Sequence, residues 1–412
     1  MMEVNTIEGK PAENMVTTHK PAYTLKQLVL YFLKLGYAGF GGPVALVGYM
    51  HRDLVVEKKW ITEEEYKDGL ALAQLAPGPL AAQLGIYLGY VHYRILGATL
   101  CGLAFVLPSF IMVVAIGIAY KMFGGLPWMQ AIFYGVGAAV VGIISISSYK
   151  LTEKSISKFT VKAFEEKWML WLFFILAAII TIATQQEEVL LFTLAGLVYM
   201  FIKAPPRWAK KLFVAPSVLL TGIGFWDYNS DTLVKIAVFF TKAGAFVFGS
   251  GLAIVPFLHG GVVNDYHWLN EHEFIDAVAV AMITPGPVVI TVGFIGYLVA
   301  GFAGACVAAL ATFLPCYLFT ILPAPYFHKY GKHPSIKAFV DGITAAVVGA
   351  LAGSVIVIAI RTIRDVPAAI IAIVTIIILL RVKKIKEPQI ILVAALVGII
   401  LKLLFPSLGD SN

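Results

Sequence analysis

Two Pro-Gly-Pro triplets, Pro77–Gly78–Pro79 and Pro285–Gly286–Pro287, each cut a stretch that is otherwise apolar enough to sit in a membrane. Proline has no amide hydrogen and clashes with the carbonyl four residues back, while glycine permits a sharp backbone path. A helix that starts near Pro79, or near Pro287, therefore aims its unpaired amides and its positive dipole end back at the break. Such an end is a ready anion site. Gln83, Thr284 and Thr291 stand beside the triplets as candidate side-chain donors. Lys34 and Lys242 lie nine or ten residues into apolar runs, and two cations near two helix ends would suit a dianion. A lysine stem is also long enough to carry its charge out to an interface. Gly41 and Gly42 in "GFGGP", with Gly249 and Ser250 in "FGSG", read as a second backbone irregularity or as a close-approach face for another helix.

A second set of groups is titratable. His51 and Asp68 bound the segment "HRDLVVEKKWITEEEYKD", and His259 and Asp276 bound "HGGVVNDYHWLNEHEFID". These four are candidates for gating or proton coupling, since histidine titrates near physiological pH. The same segments also read as amphipathic interfacial helices, with "TEEE" and "NEHE" as capping signals and Trp60 and Trp268 in an aromatic belt. Metal and nucleophile chemistry find no support. Cys101, Cys306 and Cys316 lie in apolar segments without ligand spacing, and no nucleophile–base arrangement appears, so neither a cofactor nor an enzyme is expected.

The elements that must position these groups are helical and membrane-embedded. Of 412 residues, 59% are hydrophobic and 13% charged, with a mean hydropathy of +0.86. Continuous apolar runs of about 18 residues or more recur from Leu25 to Phe405, which fits an all-α integral membrane protein and not an alternating barrel. The net charge of +7 is mostly an orientation signal, and nucleic acid is not an expected partner. Residues 1–23 form a polar tail without the features of a cleaved signal.

The chain is also written twice. Sliding it by 208 residues lays the two triplets on each other, "FLKLGYAGFG" on "FTKAGAFVFG", His51 on His259, Trp60 on Trp268 and Asp68 on Asp276. One deletion later the offset is 207, with "LPSF" on "LPCY" and "AAVVG" on "AAVVG". The expected organisation is a first repeat over 24–205, a basic linker over 206–231, a second repeat over 232–406 and a tail over 407–412. Spans are expected near 25–50, 69–91, 96–120, 128–148, 168–184 and 188–203, and again near 232–258, 277–300, 302–323, 337–360, 366–381 and 389–405. Lys and Arg counts favour a cytoplasmic N-terminus, with Arg52, Lys58, Lys59, Lys67 and Lys121 left outside, and they favour an inverted second repeat. Inversion needs an odd number of prior crossings, so Leu212–Phe225 is expected to be a short span, giving about 10–13 helices. Each triplet falls about 13.5 Å from the aligned acid, close to the bilayer midplane.

The motifs "GFGGP", Trp60-x5-Tyr66-x-Asp68, "LAQLAPGP", "YLGY", "TPGPVVITVGFIGYLVAG" and "ATFLPCY" together resemble the chromate ion transporter family in its long two-domain form. The resemblance covers nearly the whole chain outside the tail and linker. It implies a multi-pass carrier of the inner (plasma) membrane that moves chromate, usually outward, and so confers chromate resistance, with sulfate as a related oxyanion. A homodimer is one assembly open to such a chain. Some members carry polar residues after the first triplet, where this chain has Leu80, Ala81 and Ala82. That departure leaves the choice between chromate and sulfate open.

Overall fold

The computed structural model describes residues 23–39, 42–123, 127–184, 189–205, 231–245, 254–330, 333–382, 385 and 387–405. The first helix, α1 (Leu25–Ala38), opens on a Thr24–Gln27 capping box, and α2 (Gly42–Met50) runs on into a wider π-type turn over His51–Glu57. The two do not form one span. The Tyr31 hydroxyl donates to Asp53 Oδ2 at 3.2 Å, and Tyr23 stacks on Trp60 with ring centroids 4.9 Å apart. Residues 22 positions apart in a straight helix would be about 33 Å distant, so the chain reverses between α1 and α2.

The next pair does the same. Helix α3 (Glu63–Leu75) starts on a Thr62–Glu65 capping box with three glutamates in its first turn, where the helix dipole favours them. Helix α4 (Leu80–Phe123) is broken at Arg94, with φ 53° and ψ −143°, into arms 80–93 and 95–123. Gly69 packs on the Tyr87 ring, and His92 Nε2 lies 3.2 Å from Glu65 Oε1. Helix α3 and the first arm of α4 are thus a hairpin whose tip is Pro77–Pro79. The second arm folds back again along the first. Gly89 and Gly97 meet so closely that a Cβ on Gly97 would lie 2.1 Å from the Gly89 carbonyl oxygen.

The first half ends with α5 (Pro127–Ser155), the short α6 (Val161–Glu166), α7 (Trp168–Thr184) and α8 (Val189–Lys203). The second half repeats the plan. It contains α9 (Thr232–Ala245), α10 (Ile254–His259), a π-type turn over Gly260–Asp265, α11 (Glu271–Ile283), a single 3-10 turn over Val288–Ile290 and α12 (Thr291–Ile321). Then come α13 (Ala324–Tyr330), α14 (Pro334–Thr362), α15 (Val366–Arg381) and α16 (Glu387–Leu404). Helix α12 breaks at Ala300 and Gly301, the positions that match the Arg94 break. The Phe239 ring lies on Gly261 across the first hairpin of this half. Tyr120 touches both Asp276 and the Phe294 ring, residues that a straight helix would hold about 27 Å apart.

The stretches near 25–50, 69–91, 232–258 and 277–300, expected as single spans, are therefore re-entrant hairpins. Apolar composition alone does not distinguish one span from two half-depth helices, and the Gly and Pro tips make the reversal possible. Five described segments are long and apolar enough to cross a membrane. They contain the second arms of α4 and α12 together with α5, α14 and α16, while α7, α8 and α15 are shorter apolar helices. The reversal also returns Arg52, Lys58, Lys59 and Lys67 to the side of Tyr23 and Arg94, which strengthens the charge asymmetry read from the sequence. Leu212–Phe225 lies outside the described residues.

The two halves cross through their long arms. Thr99 Oγ1 and the Tyr317 hydroxyl are 2.7 Å apart, and the Phe110 and Phe302 ring centroids are 6.4 Å apart. Lower numbers on one arm meet higher numbers on the other, so equivalent helices run antiparallel, the geometry of an inverted repeat. The outer helices are exchanged: α7 and α8 pack on α14 of the other half, and α15 and α16 pack on α5. With Cys101, Cys306 and Cys316 replaced, and Cys306 restored only for the control pair, Thr99→Cys with Tyr317→Cys is expected to be joined readily by a short bifunctional thiol reagent. Thr99→Cys against native Cys306, the pair that parallel packing would bring together, should not be joined; the opposite pattern would refute the antiparallel crossing.

Candidate functional site

Both triplet tips are backbone features held by the other half's long arm. Gly286 has φ +94°, its N–H donates to the Gly39 carbonyl at 2.9 Å, and the Pro285 carbonyl accepts from Ser109 Oγ at 2.7 Å. The same hydroxyl lies 3.4 Å from the Gly36 carbonyl oxygen. One serine thus sits between the triplet of the second half and the "GFGG" hairpin of the first. At the other tip Gly78 has φ +143°, and a Cβ there would lie 3.1 Å from Cys316 Sγ. Ser109 and Cys316 are equivalents under the 207 offset, so each half's triplet rests on the same position of its partner arm.

The tips also share a level. Gly89 faces Gly97 in the α4 hairpin, which brings Gly78, eleven residues before Gly89, roughly level with Pro108, eleven residues after Gly97. The second triplet touches the adjacent residue, Ser109. Each hairpin tip therefore lies against the long arm of the other half. At the first tip Gln83 is fully buried. Its Nε2 donates to the Pro77 carbonyl at 2.8 Å, while its Oε1 has no hydrogen-bond partner among the described residues.

The other sequence candidates are placed unevenly. The Thr284 hydroxyl donates within its own helix to Val280 and the Thr291 hydroxyl to Val288, so neither hydrogen is free for an anion in this conformation. Lys34 is exposed, on the face of α1 shared with Leu30, Leu33 and Tyr37 and opposite the buried Phe32, Leu35 and Gly36. The structure does not bring it to the tips. Lys242 is half-buried on α9. Gly42 begins α2, whereas Gly41, Gly249 and Ser250 lie outside the described residues.

The histidines tie hairpins together at their bases. His51 Nε2 meets Glu63 Oε2 at 2.9 Å, and His259 Nε2 meets Glu271 Oε2 at 2.8 Å, in matching positions of the two halves. The first pair is exposed, while the second is buried and extended by Arg361 on α14, which bonds Glu271. Burial alone would raise the Glu271 carboxyl; the hydrogen bonds and charges of His259 and Arg361 outweigh it and hold the group below its ordinary range. Asp68 is half-buried, and Asp276 is buried against Tyr120. Among the described residues no three His, Cys, Asp or Glu converge as metal ligands.

Sequence reasoning missed Ser109, Tyr120, Glu63, Glu271 and Arg361 as site residues. The signal for Ser109 and Cys316 was present, because "LPSF" and "LPCY" align between the halves, but only the fold shows what they touch.

The sequence model of the family described as "Chromate transporter" matches residues 26–201 and again 234–399. A chromate transport protein of Cupriavidus metallidurans is 63% identical over 384 residues, covering 92% of this chain and 94% of that one. A probable chromate transport protein of Synechococcus elongatus is 56% identical over 397 residues, covering 95% and 99% respectively. A chromate transport protein of Pseudomonas aeruginosa is 29% identical over 362 residues, covering 84% of each chain. No solved structure matches.

Two outcomes follow from this geometry. Ser109→Ala removes the donor to the buried Pro285 carbonyl, a loss of about 1–3 kcal/mol that should lower the denaturation midpoint of the purified protein in detergent; an unchanged midpoint would show the hydroxyl to be dispensable. Because Glu271 is depressed in the folded state, its contribution is present above the ordinary carboxylate range and is lost as pH falls through the folded value. Acid titration of wild type should therefore show a loss of stability that Glu271→Gln lacks, and parallel pH profiles would contradict the assignment.

Proposed function

This chain belongs to the chromate transporter family, and we propose that it carries chromate outward across the plasma membrane through a cavity floored by the two triplet tips. The observation that supports this reading is that each left-handed Pro-Gly-Pro turn lies against the other half's long arm, at the equivalent residues Ser109 and Cys316. Irregular backbone at membrane depth is tolerated only where protein or a water-lined cavity surrounds it. The amides at the starts of the return helices, and the positive ends of their dipoles, then face a common centre that suits a tetrahedral dianion. The recognition is mainly by backbone, because Thr284 and Thr291 keep their hydroxyl hydrogens within their helices.

Outward movement is electrically downhill from a negative cytoplasm, at about 2.3 kcal/mol for each charge per 100 mV. A cytoplasmic N-terminus is supported by the cations gathered at the bases of the first-half hairpins. The inverted second half then needs one crossing in the central linker, for which Leu212–Phe225 is the candidate. Both tips belong to one chain, so neither needs a second copy to supply it. A second reading, sulfate as the main cargo, stays open because the run Leu80, Ala81 and Ala82 after the first triplet offers no polar side chain to select an oxyanion. Chromate and sulfate have the same charge and shape, and apolar neighbours do not choose between them.

Uptake of radiolabelled chromate from the medium by inside-out vesicles tests the proposal, with sulfate as competitor. Uptake should be saturable, and sulfate should compete weakly; sulfate uptake without chromate uptake would replace the first reading by the second. Changing Pro77, Gly78 and Pro79 to Ala should lower chromate uptake at least tenfold while leaving the protein inserted, and normal uptake would sink the tip site. Reporter fusions after Phe225 and after Tyr330 should report outside and inside respectively.

A further inference from the structure

Asp276 is 7% exposed and accepts a hydrogen bond from the Tyr120 hydroxyl at 2.7 Å, yet it also lines a cavity of about 670 Å³ between the halves. An ionisable group at such a position is costly and is by default a working group. The other groups around the cavity are His272 and Glu273 on α11 itself, Lys121 at the end of α4, Tyr134 on α5, Arg364 and Asp365 beyond α14, and Lys402 on α16. Two of these carboxylates have structural duties. Asp365 accepts from Tyr134 at 2.6 Å and from the Ala368 amide at 2.8 Å, capping α15, and Glu273 accepts from the Asn270 amide at 2.9 Å, capping α11. Glu271, nearby, is held by His259 and Arg361. Asp276 caps nothing.

Its position links it to the anion tip. Helix α11 and the second arm of α4 are clamped twice, by Asp276 to Tyr120 and by Pro285 to Ser109, nine residues further along α11. A charged carboxylate accepts a stronger bond from a hydroxyl than a neutral carboxyl does. Loading a proton on Asp276 therefore loosens one clamp on the helix whose other end holds the second triplet. Phe327 occupies the position matching Tyr120, on α13, which packs on α3, and it has no hydroxyl for Asp68.

We propose that Asp276 is the coupling proton site of this carrier, exchanging its proton with water in the cavity between the halves. The proton arrives from and returns to water, forming and breaking a single O–H bond on the carboxyl. The inference rests on the carrier reading above, and the two fail separately.

Purified protein in liposomes, with chromate flux followed under an imposed pH gradient and under chromate–chromate exchange, tests it. Wild-type net flux should respond to the gradient. Asp276→Asn should lose that response at least tenfold while chromate–chromate exchange persists. Tyr120→Phe removes the donor that favours the carboxylate, so the pH profile of net flux should move upward by about one unit. Gradient-driven flux in Asp276→Asn equal to wild type, a wild-type flux indifferent to the gradient, or an unmoved profile in Tyr120→Phe would each overturn the proton site. Absence of any wild-type chromate flux would instead remove the carrier reading beneath it.

Discussion

The fold depends on one constraint: in hydrocarbon, every backbone polar group needs a partner inside the protein. Each Pro-Gly-Pro triplet breaks that rule locally; Gln83 of the same half pairs the Pro77 carbonyl of the first, and the first half repairs the second. Ser109 supplies a donor to Pro285, and Gly39 supplies an acceptor to Gly286. Neither repair is available within a single half. The crossing of α4 and α12 is therefore both the joint between the repeats and the place where unpaired backbone is allowed to collect. Without a hydrophobic difference between helix and lipid, such joints rely on close packing and interhelical hydrogen bonds of about 1–2 kcal/mol or less each. The Gly89–Gly97 approach and the Thr99–Tyr317 bond are of these two kinds.

Much of this was legible in the sequence, and the reasons are specific. The duplication was visible because identical residues recur at offsets of 208 and 207. The capping boxes at Thr62 and Asn270 were visible because their spacing is local. The hairpins were not, since a half-depth helix pair such as α3 with the first arm of α4 has the composition of one long span. The stretch from Asp68 to the triplet is one helix, α3, after which the chain turns back on itself. Ser109 escaped notice because a small hydroxyl in an apolar helix has no local signature; its partner lies 176 residues away. The lysines show the converse. Lys34 sits deep in an apolar run by count, yet the helix phase that buries Phe32 and Leu35 turns it outward.

The two halves are alike in backbone and unlike in side chains. The His–Glu pair is exposed in the first copy and buried with Arg361 in the second, and Tyr120 faces Asp276 where Phe327 stands in the matching place. An inverted repeat with identical side chains would treat both membrane faces alike. These substitutions make the two halves chemically unlike while the duplicated glycine and proline positions repeat in both.

The central claim is that both triplet tips hold one anion. Equilibrium binding of radiolabelled chromate to the detergent-purified protein tests it most directly, comparing wild type with proteins in which either triplet alone is replaced by alanines. Loss of binding in both single-triplet variants is the expected result. Wild-type affinity in either one, in a protein that remains folded, would contradict a shared site.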